Sequence, residues 1–139
     1  MFYFKSPYPL AFKFGSWVGN TMENFHRGSK TDKIVEAAKE YVRENYGEKL
    51  TLAAIASKIG ISQGYLSSVF KKQTGGNLND YINQMKIEKA KELLEKHEYM
   101  MYEISDMLGF ENPYYFSKVF KKLTGITPSE YEMHRAAQN

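Results

Sequence analysis

Apolar and polar positions alternate with a helical period along the chain from about residue 31 onwards. Residues 51–60 combine a threonine that can cap a helix, an apolar stripe on one helical face and a final glycine. Residues 62–75 repeat this plan behind a serine, with Leu66, Val69 and Phe70 as the apolar stripe. Hydroxyl residues favour helix N-caps and glycine favours the left-handed C-cap, so each stretch predicts one short helix. Two such helices joined by a tight turn form a helix-turn-helix.

The same unit occurs a second time further along the chain. IASKIG at 55–60 matches ISDMLG at 104–109, and YLSSVFKKQTG at 65–75 matches YFSKVFKKLTG at 115–125. The longer pair is identical at eight of eleven positions, which indicates an internal repeat. We therefore predict a first helix-turn-helix over about 51–75 and a second over about 102–125.

Three further helices are predicted around these units. Apolar residues at helical spacing mark a helix over 32–46, with Thr31 or Asp32 as its cap, and a long linker helix over about 77–96. The run TPSE at 127–130 is a capping box that starts a short last helix. No run alternates in the manner of a strand. The predicted fold is all-α, with seven helices forming two helix-turn-helix subdomains joined by a long linker helix.

Composition narrows the function classes. The chain has 139 residues, of which 42% are hydrophobic, and this suffices for a domain with a buried core. The absence of cysteine excludes disulfide scaffolds, thiolate zinc sites and cysteine nucleophiles. The three histidines lack ligand spacing and no catalytic motif accompanies them, so we expect no metal, no cofactor and no enzyme activity. No stretch approaches the roughly 20 apolar residues that cross a bilayer, and we expect a cytoplasmic protein without membrane contact.

The distribution of charge is more informative than its sum. The net charge of +3 arises entirely within residues 1–30, and residues 31–139 are neutral overall. Two segments nevertheless contain lysines and no acid, one from Lys49 to Asn79 and one from Asn112 to Ser129. A lysine pair at a helix end is ordinarily a solvated terminus that matches the helix dipole. Its repetition in two acid-free segments favours a polyanionic partner instead.

These residues resemble the DNA-binding domain of AraC/XylS-type transcription regulators. The resemblance covers about residues 33–135 and rests on LTLAAIASKIGISQGYLSSVFKKQTG, on YINQMKIEKAKELL and above all on GFENPYYFSKVFKKLTGITPSEY at 109–131. Within the family, the chain is most similar to the DNA-binding ends of response regulators. The resemblance implies a bacterial regulator of two lobes on one long helix, each lobe inserting its second helix into a major groove of double-stranded DNA. It also implies an activator that contacts RNA polymerase.

The length of the linker helix agrees with this implication. A helix over 77–95 would be about 28 Å long at 1.5 Å per residue. Successive major grooves on one face of DNA repeat about every 34 Å. A single chain could therefore read two adjacent grooves, so we expect a monomer, or a weak dimer on direct repeats.

Candidate contact residues follow from the face of each second helix that lies opposite its apolar stripe. Lysine, asparagine and glutamine address purine edges, serine addresses either base type, and tyrosine packs on a thymine methyl. Lysines at helix ends and capping hydroxyls favour phosphates. We also expect Tyr115 in the core and Tyr114 outside it. The base-reading candidates are Gln63, Gly64, Ser67, Ser68, Lys71, Asn112, Tyr114, Ser117, Lys118 and Lys121, and the phosphate candidates are Ser62, Lys72, Lys122 and Thr127.

Three positions depart from the family pattern. Ser68 stands where many members carry a basic residue, and Lys86 and Glu132 stand where members usually place arginine. The contacts that family members make at these positions are therefore not assigned to this chain. Ser68 and the neutral charge of residues 31–139 favour an alternative, a helical protein-interaction module that has lost DNA reading.

The N-terminal segment, residues 1–30, has a different character from the rest. It holds eight of the chain's aromatic residues without a helical or strand period. We interpret it as a remnant or extension of an upstream domain. The alternative is a hydrophobic clasp for a partner or for the domain's own surface. The DNA-binding domain then extends over 31–139.

Overall fold

The computed structural model describes residues 29–138, and regular structure within this range is entirely helical. None of these helices is both long and apolar enough to cross a membrane. The helices of these residues confirm the predicted all-α class, with two helix-turn-helix subdomains and a long helix between them in the chain. The helices are α1 (Lys30–Glu44), α2 (Leu52–Ile59), α3 (Gln63–Thr74), α4 (Leu78–Glu95), α5 (Met101–Met107), α6 (Pro113–Thr124) and α7 (Pro128–Gln138).

The chain divides into two compact units. The first unit contains residues 29–45 and 50–82, and the second contains residues 46–49 and 83–138. Most of the predicted N-terminal segment, residues 1–28, lies outside the described residues.

Helix ends in the first unit are fixed by the predicted cap chemistry. The hydroxyl oxygen of Thr51 accepts a hydrogen bond from the Ala54 amide at 3.0 Å. Gly60 and Gly75 end α2 and α3 with φ angles of 90° and 86°, which side-chain-bearing residues rarely adopt. These positions were all readable from the sequence, because caps depend on neighbours three or four residues away.

The start of α1 differs from the prediction. The N-cap is Ser29, whose hydroxyl oxygen accepts from the Asp32 amide at 3.1 Å, so Thr31 and Asp32 lie inside the first turn. The helix ends at Glu44 rather than at residue 46. There the Asn45 side-chain amide donates to the Tyr41 carbonyl at 2.9 Å, and the Asn45 backbone amide donates to the same carbonyl at 3.1 Å.

The core of the first unit is formed by α1, α2, α3 and the first turn of α4. Ala38, Ile55, Leu66 and Phe70 are completely buried there. Lys39 lies among them with 2% of its surface exposed, and its Nζ is 5.1 Å from the centre of the Tyr81 ring. Burial lowers the pKa of Lys39 to about 6.

Caps in the second unit follow the same plan. The Asn112 Oδ1 accepts from the Tyr115 amide at 2.8 Å, and Pro113 is the first residue of α6. The predicted capping box is present, because the Thr127 amide donates to Glu130 Oε1 at 2.8 Å and the Glu130 amide donates to Thr127 Oγ1 at 3.1 Å.

Aromatic rings dominate the core of the second unit. The rings of Phe116 and Phe120 meet edge to face at 5.9 Å, and those of Phe120 and Tyr131 at 5.7 Å. Leu94 from α4 and Ile104 from α5 complete this cluster and are completely buried. The cluster holds α6 by one face.

A short segment from the α1–α2 connection belongs to the second unit. We call Tyr46–Lys49 the strap. A Cβ atom on Gly109, in the turn between α5 and α6, would lie 2.5 Å from the Glu48 carbonyl oxygen of the strap. Only glycine permits this approach, and the φ of 76° at Gly109 makes the same demand.

Candidate nucleic-acid interface

Helices α3 and α6 are the second helices of the two helix-turn-helix units. In α3 the residues Leu66, Val69 and Phe70 are buried, and in α6 the matching Phe116, Val119 and Phe120 are buried. Because these stripes are held in the two cores, the opposite face of each helix is directed to solvent. The candidate contact residues lie on those two faces.

The exposed face of α3 includes a glycine in its first turn. Gln63, Gly64, Ser68 and Lys71 are exposed, and Ser67 is half-buried. A Cβ atom added to Gly64 would meet nothing within 4 Å. Nothing in the described structure requires glycine at this position.

The face of α6 carries longer side chains. Asn112, Lys118 and Lys121 are exposed, Tyr114 has 75% of its surface exposed, and Ser117 is half-buried. The Asn112 Oδ1 is engaged in capping α6, so the side-chain NH2 group is the part that can donate to a base.

The prediction for Tyr115 is wrong, whereas that for Tyr114 is confirmed. Tyr115 keeps 45% of its surface exposed, close to the 43% of its counterpart Tyr65. Its ring contacts Phe110 edge to face at 6.1 Å, at the rim of the aromatic cluster. The core-facing stripe of α6 is filled from Phe116 onwards, which leaves the preceding residue only partly covered.

Among the phosphate candidates, Ser62, Lys72 and Lys122 are exposed and Thr127 is half-buried. The Ser62 hydroxyl caps α3 by accepting from the Tyr65 amide at 3.1 Å. Thr127 is a weaker candidate, because its amide already donates to the Glu130 carboxylate. Hydrogen bonds from the Thr127 amide and hydroxyl lower the pKa of Glu130, which therefore stays negative where a phosphate would approach.

Neither α3 nor α6 contains an acidic side chain. Both end on a lysine pair, Lys71 and Lys72 in α3 and Lys121 and Lys122 in α6. The α6 face gains a third cation from Lys118, whereas the matching position in α3 is Ser68. The α6 face therefore carries one more cation than the α3 face.

Two of the departures from the family pattern acquire partners in the structure. The buried Lys86 donates from Nζ to the Glu48 carbonyl at 2.6 Å and to the Leu108 carbonyl at 2.5 Å. Glu132 pairs with His97, whose Nδ1 is 3.3 Å from the carboxylate. Sequence analysis missed the role of Lys86, although its position four residues after Ile82 and four before Ala90 sets it on the apolar stripe of α4.

Comparison with known proteins identifies relatives of the helix-turn-helix region. A family model described as a helix-turn-helix domain matches residues 55–134. An HTH-type transcriptional regulator of Escherichia coli (strain K12), YijO, is 34% identical over 110 residues, which make up 79% of this chain and 39% of that protein. The chain thus spans about two fifths of the length of this relative.

Two solved structures share the fold. The C-terminal domain of AraT, a response regulator from Geobacillus stearothermophilus, superposes with a TM-score of 0.72 at 32% identity, over 76% of this chain and 88% of that one. The C-terminal domain of the two-component response regulator yesN from Fusobacterium nucleatum has a TM-score of 0.67 at 41% identity, over 70% and 95%. Both neighbours are terminal domains of response regulators.

Proposed function

We propose that this chain, which belongs to the AraC/XylS-type family of helix-turn-helix DNA-binding domains, regulates transcription. In this proposal it recognises a specific sequence in double-stranded DNA. The observation that carries this proposal is the repeated arrangement of α3 and α6. Each helix is buried by an apolar stripe and presents an acid-free, lysine-ended face to solvent. Such a face suits the negative phosphates and the acceptor-rich major groove of DNA.

Bases are read, in this proposal, by the two exposed faces. Gln63 has a side-chain amide suited to adenine, and the free NH2 group of Asn112 can donate to a purine acceptor. Lys71, Lys118 and Lys121 can donate to guanine. Ser67, Ser68 and Ser117 can pair with either base type, and the exposed Tyr114 ring suits a thymine methyl. Gly64 allows the backbone of α3 to approach the duplex closely.

Phosphates are met by the helix ends. Lys72 and Lys122 lie in the last turns of α3 and α6, and Ser62 lies at the first turn of α3 with the amide N–H groups of that helix. Contacts of this kind fix the register of a protein on the duplex without reading its sequence. Thr127 belongs to this set by its sequence position, with the Glu130 carboxylate opposing it.

The proposed DNA site has two halves. Helix α4 has 18 residues, about 27 Å at 1.5 Å per residue, which is comparable to the 34 Å or so between successive major grooves. We expect a monomer to bind both halves, or two copies to bind direct repeats weakly. We further propose activation through contact with RNA polymerase, as the family resemblance implies.

A selection of bound sequences from random duplexes tests the proposal directly. We expect one enriched motif with two conserved blocks about one helical turn apart. Binding to that motif should survive unrelated competitor DNA at physiological salt. Recovery of sequences with no common motif would contradict sequence recognition.

A helical protein-interaction module is the second candidate. It is favoured by the absence of net charge over residues 31–139 and by Ser68, which leaves α3 with few cations. The double substitution Lys118→Ala with Lys121→Ala separates the two candidates. DNA recognition predicts a large loss of affinity for the selected duplex, whereas an interaction module predicts that binding to its partner is unchanged.

A further inference from the structure

Lys86 connects three parts of the second unit. It lies in α4 with 4% of its surface exposed. Its Nζ donates to the carbonyl of Glu48 in the strap and to the carbonyl of Leu108, the C-cap residue that follows α5. We propose that Lys86 is a positioning residue for DNA recognition: its ammonium group fixes the turn between α5 and α6, and thereby the orientation of the reading face of α6. This inference rests on the proposed function of α6 in DNA binding.

An ammonium group suits this location for a definite reason. The last carbonyl groups of a helix lack partners within the helix and carry the negative end of its dipole. Leu108 supplies one such carbonyl at the end of α5. The three N–H groups of an ammonium can satisfy it and the strap carbonyl together. A neutral, apolar residue would leave the buried Leu108 carbonyl and the part-buried Glu48 carbonyl without this donor.

The effect of Lys86 reaches α6 through the turn. The Lys86 amine lies 5.4 Å from the centre of the Phe110 ring. That ring in turn packs against Phe116 at 5.3 Å and against Tyr115 at 6.1 Å. Both of these residues belong to α6, one residue or two after the exposed Tyr114. A shift of the turn would therefore change the direction of the helix that carries the contact residues.

The strap and the turn leave little room for adjustment. A Cβ atom on Gly109 would approach the Glu48 carbonyl to 2.5 Å, and one on Gly47 would approach the Met107 carbonyl to 2.9 Å. An exposed ion pair between Lys49 and Glu111, at 2.7 Å, joins the same two segments. The Lys86 amine bonds to both segments where they meet, so it sets their common position.

The two hydrogen bonds of the Lys86 ammonium group go to backbone carbonyls and not to carboxylates. Glu48 offers its backbone carbonyl, Lys49 pairs with Glu111, and Glu88 of the same helix pairs with Lys91. Lys89, also in α4, lies over the ring of Tyr46 in the strap. Burial accordingly lowers the pKa of Lys86 to about 8. The ammonium form predominates below this pH and is lost above it.

The test compares wild type, Lys86→Met and Lys86→Arg, with Lys33→Ala as a control at an exposed site in α1. Hydrogen exchange of the free protein is measured at the Gly109 and Phe110 amides, which donate to Asp106 and Ser105. The matching amides of Gly60 and Ile61, which both donate to Ala56 in the first unit, serve as an internal control. Affinity for the selected duplex is measured from pH 6.5 to 9 at constant ionic strength.

We expect Lys86→Met to reduce protection at Gly109 and Phe110 but not at Gly60 and Ile61. DNA affinity should fall by about tenfold, the equivalent of one charge-assisted hydrogen bond. Wild-type affinity should fall above about pH 8, and Lys86→Arg should bind with a flat profile, because a guanidinium keeps its charge throughout. Rescue by arginine is not expected if the side chain merely fills space.

Unchanged protection and unchanged affinity in Lys86→Met would overturn the inference. If Lys86→Met does not fold, a Lys86→Arg profile that falls above pH 8 as in wild type would overturn it equally. If instead wild type selects no duplex but the turn amides still depend on Lys86, the proposed function fails while the positioning of the turn stands.

Discussion

The two helix-turn-helix units end their second helices, α3 and α6, with the same contacts and begin them with different residues. Thr74 and Thr124 each donate from Oγ1 to the carbonyl four residues earlier, at 2.8 Å in both helices. Each also contacts the carbonyl two residues later, at 3.0 Å. At the start, α3 has Gln63 and Gly64 where α6 has Pro113 and Tyr114. The two copies of the internal repeat therefore share the contacts that end the helix and differ in residues of the face that would meet DNA.

The units also differ in how they accommodate a buried lysine. Lys39 in the first unit lies over the Tyr81 ring, and Lys86 in the second bonds to two carbonyl groups. Burial lowers the pKa of Lys39 to about 6 and that of Lys86 to about 8. In both units desolvation by burial is the main reason that the pKa of the lysine is lowered.

The largest expected effect tests whether the two cores are equivalent. Phe70→Ala and Phe120→Ala each remove a completely buried ring, so each should lower the free energy of unfolding by about 3–5 kcal/mol. Urea unfolding followed by circular dichroism measures both. A cost below about 1 kcal/mol for either variant would show that its unit relaxes around the cavity and that the cores are not alike.

The next effect compares the exposed faces of α3 and α6. Lys118→Ala should lower affinity for the selected duplex roughly tenfold to a hundredfold, because a cation on the α6 face is lost. Ser68→Ala, at the matching position of α3, should change it less than about threefold. Fluorescence anisotropy measures both, with Lys33→Ala as the control. Equal losses at the two positions would show that the second unit does not dominate recognition.

A smaller effect concerns the buried Lys39 and pH. The folded pKa of about 6 lies below the ordinary 10.5, so the unfolded chain binds more protons between these values. Stability should therefore rise with pH across this window, by at most about 1.4 kcal/mol per pH unit, and the penalty is complete below pH 6. Lys39→Met should flatten the rise between pH 6 and 8, as measured by urea unfolding. The same slope in both proteins would contradict this origin.

The smallest effect concerns Gly64. Because a Cβ atom there meets nothing within 4 Å, Gly64→Ala should raise the free energy of unfolding by up to about 1 kcal/mol. Thermal unfolding measures the gain. If the backbone of α3 approaches DNA closely, the same variant should also bind the selected duplex more weakly. A variant that is more stable and binds equally well would remove Gly64 from the interface.

The sequence was sufficient for features that depend on near neighbours. The caps at Thr51 and Ser62, the capping box at Thr127 and the glycine ends of α2 and α3 are all set within four residues. Helical periodicity likewise predicted the buried stripes. Such local rules do not require knowledge of the rest of the fold.

The features that escaped prediction depend on residues far apart in the chain. Lys86 bonds to Glu48, which lies 38 positions earlier, and no local pattern specifies that partner. The exposed fraction of Tyr115 is decided by where Phe110 and the aromatic cluster leave space. The two buried lysines, Lys39 and Lys86, do share a signal in the sequence. Each occupies a position where the helical period predicts an apolar residue.

The strap has a consequence for anyone who wishes to dissect or recombine this molecule. Residues 46–49 precede the first helix-turn-helix in the chain but pack within the second unit. A cut before α4 therefore yields a C-terminal fragment without the carbonyl that Lys86 bonds and without the backbone that Gly109 touches. Chimaeras that exchange one half with a relative would have to transplant this tetrapeptide together with the distal half, so the halves are interleaved rather than modular.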